Sequence, residues 1–345
     1  MKASLPKKRP EFRAIWRDSH PEVIVVGASA GGIETFGTLV RQLPEDLRAA
    51  IVLVIHISPF SPGALPQVFD RMTKLRVPHN LKDGEIIKPG HVYVAPPDYH
   101  LLVEPGRLRL VRGPTENRHR PAIDPLFRSA ARAYGNRAVG VVLSGTLDDG
   151  AAGLWSIKQC GGTTIVQEPE DALYSGMPRS ALDNVKPDYV LPVAEMAALL
   201  INLTNEKRPS NKGCRNSRTF IETDVAEMRR PMDQMEGLGK PSTLTCPQCQ
   251  GALWELREGK LFRYRCRVGH AFTAETLEQA QTEQLEHALW SAVRALEEKA
   301  SLLGKLGETA HQRKHDLAAR QFEARAHELE PAVKVLREML VKHKY

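Results

Sequence analysis

VIVVGASAGG, residues 23–32, runs from four apolar β-formers into Gly27-Ala28-Ser29-Ala30-Gly31-Gly32. A β-branched run that breaks into glycines and then enters a helical pattern reads as a strand–turn–helix unit of a parallel sheet. Such a turn either cradles a phosphate on backbone N–H groups or lifts a side chain clear of the sheet. A dinucleotide-binding G-x-G-x-x-G needs its second glycine so that backbone can approach the pyrophosphate without a Cβ in the way. Ser29 stands at that position, and the next strand ends in His56 rather than in an acidic residue for a ribose. The phosphate reading weakens on both counts. The same letters satisfy G-x-S-x-G, in which a serine sits on a tight turn with helix N–H groups behind it. A capping role for Ser29 stays open until a base and an orienting acid are found.

Outward from this turn, residues 22–203 alternate short β-branched runs with helical patterns, which predicts an α/β fold: a doubly wound, mainly parallel sheet with helices on both faces. Strands are expected at 23–26, 51–56, 92–95, 138–143, 163–167 and 189–191, and helices at 32–43, 62–74, 124–134, 151–159 and 193–203. Residues 101–111, centred on Pro105-Gly106, read as a hairpin. Reacting groups of such sheets gather at the carboxyl ends of the strands. His56 ends one apolar strand, and Val139–Leu143 leads into Ser144-Gly145-Thr146-Leu147-Asp148-Asp149-Gly150. A serine, an imidazole and a carboxylate thus stand at three strand ends, as an acyl-transfer triad requires.

The chain has 345 residues, enough for this domain and smaller modules, with 42% hydrophobic residues and a formal net charge of +7. The apolar runs fall short of the ~20 residues of a membrane helix, so no membrane insertion is expected. Residues 1–21 form a basic, polar arm without a secretory signal's apolar stretch, which points to the cytoplasm. The positive charge suits nucleic acid, an acidic protein surface, or ordinary solubility.

Several ordered motifs carry a resemblance: GASAGG after a strand, the strand-end His56, DGEIIKPGHVYVAPPDYH, NRHRPAID, LSGTLDDGAAG and SGMPRSA. Over residues 22–203 the chain resembles the catalytic domain of the chemotaxis protein-glutamate methylesterases, the CheB family. The resemblance implies Ser29 as nucleophile, His56 as general base and Asp149, directly before Gly150-Ala151, as orienting acid. It implies hydrolysis of glutamate γ-methyl esters on chemoreceptor helices with release of methanol, deamidation of receptor glutamines in some members, and no cofactor for catalysis. Backbone N–H groups near Thr146 would line the oxyanion pocket, Ala30 follows the nucleophile where the family has Thr, and Met177 edges the substrate cleft. The family's G-M-G-x-D-G-A loop reads here Gly145-Thr146-Leu147-Asp148-Asp149-Gly150-Ala151. The family's N-terminal receiver domain has no room in about twenty residues, so control by phosphorylation in cis is not expected. Asn117-Arg118-His119-Arg120 reads as a loop brace or as a contact for acidic receptor surface.

Residues 204–241, rich in Lys, Arg, Asn, Ser, Gly and Pro, read as a linker. Residues 242–272 follow as a zinc-ribbon-like module: Cys246-Pro247-Gln248-Cys249 is a C-x-x-C knuckle, and Cys266 with His270 supplies a second pair after sixteen intervening residues. Three thiolates and one imidazole make a closed tetrahedral set, hence a structural zinc with no open position. Cys160 and Cys214 lack partners at ligand spacing and read as ordinary residues. Residues 273–345 turn helical, with an apolar stripe on each helix; Gly304 and Gly307 are expected to break the run into a hairpin, and Pro331 to kink or restart its second arm. The stripes suit self-association or a partner helix. One ribbon without a recognition helix or a dense Lys/Arg stripe is a poor base reader, so nucleic acid is not the expected partner. Two readings remain at this stage: a methylesterase, or an adaptor that keeps the fold as a scaffold.

Overall fold

Six consecutive residues buried on both faces, Val23–Ala28, make strand β1 the centre of the sheet, as a run with no polar face must be. The structure, a computed structural model, describes residues 23–206, 214, 217–229 and 239–342; the basic arm at 1–21 lies outside the described residues. After β1 come α1 (Gly32–Val40), β2 (Ala50–Ile55), α2 (Leu65–Asp70), β3 (Val92–Val94), the hairpin β4 (His100–Glu104) and β5 (Arg107–Val111), and α3 (Ile123–Tyr134). They are followed by β6 (Ala138–Val142), α4 (Ala151–Gln159), β7 (Thr163–Gln167), α5 (Gly176–Asn184), β8 (Tyr189–Leu191) and α6 (Val193–Asn205). The described strands form a six-stranded sheet in the order β3-β2-β1-β6-β7-β8, with every pairing parallel.

Helices cover both faces. Leu126 and Phe127 of α3 and Leu154 and Ile157 of α4 pack on one side together with Leu101, Val103 and Leu108 of the hairpin. Phe36 and Leu39 of α1 and Met196 and Leu200 of α6 pack on the other. The expected doubly wound architecture is the observed one. From β1 the chain steps outward to β2 and β3, then crosses back to β6 on the other side, so the strand order reverses between β1 and β6. A crevice opens at such a reversal, outside the carboxyl ends of the strands.

Helix α5, unexpected from the sequence, begins at Gly176 with Pro178 in its first turn, where a missing N–H costs little. Within the stretch read as a linker, Ser217–Ala226 is a helix, α7. Cys160 and Cys214, read as ordinary residues, are joined by a disulfide that ties the end of α4 to the segment before α7.

The ribbon is an antiparallel sheet of β9 (Lys240–Thr245), β10 (Ala252–Glu258), β11 (Leu261–Cys266) and β12 (Ala271–Thr273), ordered β12-β11-β10-β9. It belongs to the same compact unit as the parallel sheet, a unit that extends to Thr276. What joins them is a buried ionic cluster. Glu116 and Arg128 of the sheet domain, Glu222 of α7, and Arg263 and Arg265 of β11 are each at most 2% exposed. Glu222 accepts from both Nη atoms of Arg263 at 2.9 and 2.6 Å and from Arg265 at 3.2 Å, and Glu116 pairs with Arg265 at 3.0 Å and with Arg128. Charges this deep persist only when paired.

The second unit begins at Leu277. Helix α8 (Ala274–Gln312) runs unbroken through Gly304 and Gly307, contrary to the expected break. The chain turns instead at 313–315, where Lys314 takes φ 60°, and returns as α9 (Asp316–His327) and α10 (Glu330–Lys342). Gly307 faces α9, where a Cβ would stand at ordinary contact distance, 3.6 Å from the Ala319 carbonyl oxygen. Pro331 falls in the first turn of α10, restarting the helix as expected. Arg337 of α10 pairs with Glu297 of α8 at 2.6 Å. No described helix is long and apolar enough to cross a membrane.

Candidate active site

Strand β1 ends in a turn through Ser29 and Ala30 to Gly31, which caps α1 at φ 72°. Only a residue without a Cβ adopts that left-handed conformation freely. The turn is tied to the neighbouring strand end, since the Ser29 N–H donates to the Ser144 carbonyl at 2.9 Å. Ser144, fully buried, donates its hydroxyl to the Ala30 carbonyl at 2.8 Å and accepts the Tyr174 N–H at 3.0 Å. Next to it, a Cβ on Gly145 would stand 2.9 Å from the Cβ of Ser29 and 2.1 Å from the sulfur of buried Met177. Gly145 therefore lets the two loops meet without displacing Ser29. Thr146 is exposed at the tip of the same loop.

His56 follows β2, and its N–H donates to the Ala28 carbonyl at 3.1 Å, which fixes the imidazole one strand away from the serine turn. Its Nε2 lies 2.7 Å from Asp149 Oδ2. Asp149 is buried at the mouth of the β6 loop and accepts N–H groups from Ile123 at 2.6 Å, Gly150 at 3.0 Å and Asp124 at 3.2 Å. The Ile123 and Asp124 donors are the first N–H groups of α3, which have no intrahelical partner and carry the positive end of its dipole. Burial would raise the Asp149 carboxyl, but the His56 hydrogen bond and charge and these N–H donors outweigh it and hold the group well below the usual carboxylate range. Asp124, buried beside that charge, is pushed the other way by burial and by Asp149, up to about 8.

A turn from Glu116 to His119 closes the site. The two residues exchange backbone hydrogen bonds at 3.2 and 2.9 Å, while Asn117 and Arg118 between them take φ 49° and 69°, the left-handed pair of a tight two-residue turn. Asn117 Nδ2 donates to Asp149 Oδ1 at 2.9 Å. The His119 ring stacks on His56 with centroids 3.6 Å apart. Burial, and then the neighbouring His56, hold His119 down to about 4, so it presents a neutral face to that ring. Arg120 braces the turn through Asp98 Oδ1 at 2.8 Å and the Gly113 carbonyl at 2.8 Å. Ser29, Ala30, His56, Arg118, His119 and Arg120 line one groove of about 520 Å³. Thr146 and Met177 are not on its wall. Asn117, His119 and Ser144 carry roles that the sequence reading did not assign; the signal available for Asn117 was its preference for left-handed turn positions.

Cys246, Cys249, Cys266 and His270 also come together, their ligand atoms all within 4.8 Å of one another. Cys246 Sγ lies 3.7 Å from His270 Nδ1, Cys249 Sγ 3.6 Å from Cys266 Sγ, and Cys266 Sγ 3.6 Å from His270 Nδ1. Ligands at ~2.0–2.3 Å around a tetrahedral centre stand about 3.6–3.8 Å apart, so the set fits a metal ion.

Residues 24–200 match the CheB methylesterase family. A putative protein-glutamate methylesterase/protein-glutamine glutaminase of Leptospira interrogans is 40% identical over 183 residues, which are 53% of this chain and 94% of the relative. A protein-glutamate methylesterase/protein-glutamine glutaminase of Pyrococcus horikoshii is 35% identical over 182 residues, 52% of this chain and 49% of that protein. The crystal structure of the Thermotoga maritima CheB methylesterase catalytic domain superposes with a TM-score of 0.50 at 34% identity, covering 53% of this chain and 98% of that one. The matched region contains the sheet that reverses between β1 and β6 and the three neighbouring strand ends that carry Ser29, His56 and Asp149, and the chain belongs to the CheB methylesterase family.

Proposed function

We propose that the protein is a serine hydrolase that demethylates glutamate γ-methyl esters on chemoreceptor helices in the cytoplasm, and that it deamidates receptor glutamines by the same route. Ser29 is the nucleophile, His56 the general base and Asp149 the acid that orients it. The observation that carries the reading is the 2.7 Å pair of His56 Nε2 and Asp149 at the strand edge that also holds the Ser29 turn. With Nε2–H donated to a carboxylate held ionised, Nδ1 keeps the lone pair that accepts the Ser29 proton. Serine oxygen then bonds to the ester carbon, and backbone N–H groups beside Ser29 on the groove wall receive the developing oxyanion charge. His56 returns the proton to the departing methoxide, giving methanol. Water, deprotonated by His56, releases the γ-carboxylate and frees Ser29. Ammonia replaces methanol when the substrate is glutamine.

Cys246, Cys249, Cys266 and His270 hold a structural zinc in this reading, supported by their spacing; four protein ligands leave no position for water. Exposed Leu302, Leu317, Val335 and Val341 support association of the C-terminal helices with a partner or a second copy. The test is methanol release from membranes carrying methylated receptor. Wild type is expected to release it and Ser29→Ala to fall to background; equal release by both overturns the assignment.

A further inference from the structure

Family resemblance ends near residue 200, yet the hydrogen bonds that support the acid of the site reach past residue 270. Asn117 is the link. Its Nδ2 donates to Asp149 Oδ1 at 2.9 Å and to Asp124 Oδ2 at 3.1 Å, while its Oδ1 accepts the Thr273 N–H at 3.1 Å. The backbone N–H of Asn117 donates to the Ala271 carbonyl at 2.8 Å, and Ala271 returns its own N–H to Thr115 at 3.3 Å. Ala271 directly follows His270, the last member of the Cys3His set, and Thr273 ends β12. On the other side of the knuckle, Arg265 precedes Cys266. One of its Nη atoms donates to Gly269 inside the knuckle at 2.8 Å, the other to Glu116 at 3.0 Å. Residues flanking the ligand pair on either side therefore hold the 116–119 turn at Glu116 and Asn117, and that turn also sets His119 against His56.

We propose that the Cys3His knuckle is a positioning device for the triad. With its metal bound it fixes β12, β12 fixes Asn117, and Asn117 holds Asp149 in line with His56. Asn117 is a positioning residue that touches neither substrate nor metal. The inference rests on the triad and zinc readings above. Misplacing a catalytic group by about 1 Å costs on the order of 100-fold in rate, so loosening this chain of contacts should lower kcat about 10- to 100-fold and leave KM within about twofold.

A double-mutant cycle on the full chain tests it, with zinc content, far-UV circular dichroism, and kcat and KM for methanol release measured on wild type, Asn117→Ala, Cys249→Ser and the double variant. Both single variants are expected to lose kcat alone, Asn117→Ala with its zinc retained, and the double variant to be no slower than the slower single. Chelation of wild type should reproduce the loss and added zinc chloride should reverse it, while Asn117→Ala should be insensitive to both; this arm decides the matter if Cys249→Ser does not fold. Losses that multiply in the double variant, or full kcat in zinc-free protein, overturn the proposal. Wild type purified without zinc overturns it through the metal reading, and methanol release independent of Ser29 overturns it through the esterase reading, so the failures are distinguishable.

Discussion

Asp148 and Asp149 are adjacent carboxyls with opposite fates. Asp149 receives N–H groups from Asn117, Ile123, Asp124 and Gly150 besides His56, and stays ionised. Asp148 is buried with the Thr273 hydroxyl at 2.8 Å, and burial first, then the charges of Glu275 and Asp149, push it up to about 7. A carboxyl raised in the folded state holds a proton that the unfolded chain has lost, so its contribution is present below about pH 4 and is lost as pH rises through about 7. Within that window one such group costs up to about 1.4 kcal/mol per pH unit. Asp148→Asn keeps an oxygen for Thr273 and removes the titration. The variant is therefore expected to gain stability over wild type between pH 5 and pH 8, by a few kcal/mol, in guanidinium unfolding at the two pH values. A difference that does not change with pH would show that Asp148 titrates normally. Ser29 and His56 were legible in the sequence because each follows an apolar run, and Asp149 through the family resemblance of the loop that leads into Gly150-Ala151. Asn117, His119 and Ser144 were not, because their partners lie on other strands or in the ribbon and leave no local pattern.

At the scale of elements, the buried parallel strands announced themselves as continuous β-branched runs, which is why their bounds matched to within a residue or two. Helix α7 did not, for the opposite reason. Its buried face is Thr219, Glu222 and Thr223, of which Glu222 meets the arginine cluster, rather than a stripe of leucines, so periodicity of apolar residues is blind to it. Removing the Glu222 charge would strip Arg263, Arg128 and Arg265 of a buried acidic partner, with Glu116 still paired to Arg128 and Arg265. Breaking a buried pair in this way costs about 3–5 kcal/mol. Glu222→Gln is expected to destabilise the full chain by that order in denaturant unfolding, and a change under about 1 kcal/mol would contradict the view that the cluster joins ribbon to sheet. Gly304 and Gly307 misled in the other direction. A glycine costs a helix only about 1 kcal/mol, too little to break one of 39 residues.

On the scale of the whole molecule, composition shifts at residues 204 and 242 suggested a catalytic domain, a linker and a separate ribbon. The folded chain instead joins ribbon and parallel sheet in one unit, through the arginine–glutamate cluster and the β12 contacts to the Thr115–Asn117 segment, while the Cys160–Cys214 disulfide ties the segment before α7 to α4. Sequence periodicity sees neighbours along the chain, and these connections are all long-range. The consequence is functional, because the site at the β1/β6 reversal is backed partly by residues outside the shared family domain. The most direct measurement of the central claim is covalent labelling of the full chain with a fluorophosphonate probe, read by peptide mass spectrometry. Activation of one hydroxyl by His56 and Asp149 predicts a single adduct, on Ser29, that disappears in His56→Ala. Wild-type protein that remains unlabelled, or an adduct on Ser29 that persists undiminished without the imidazole, would contradict the triad.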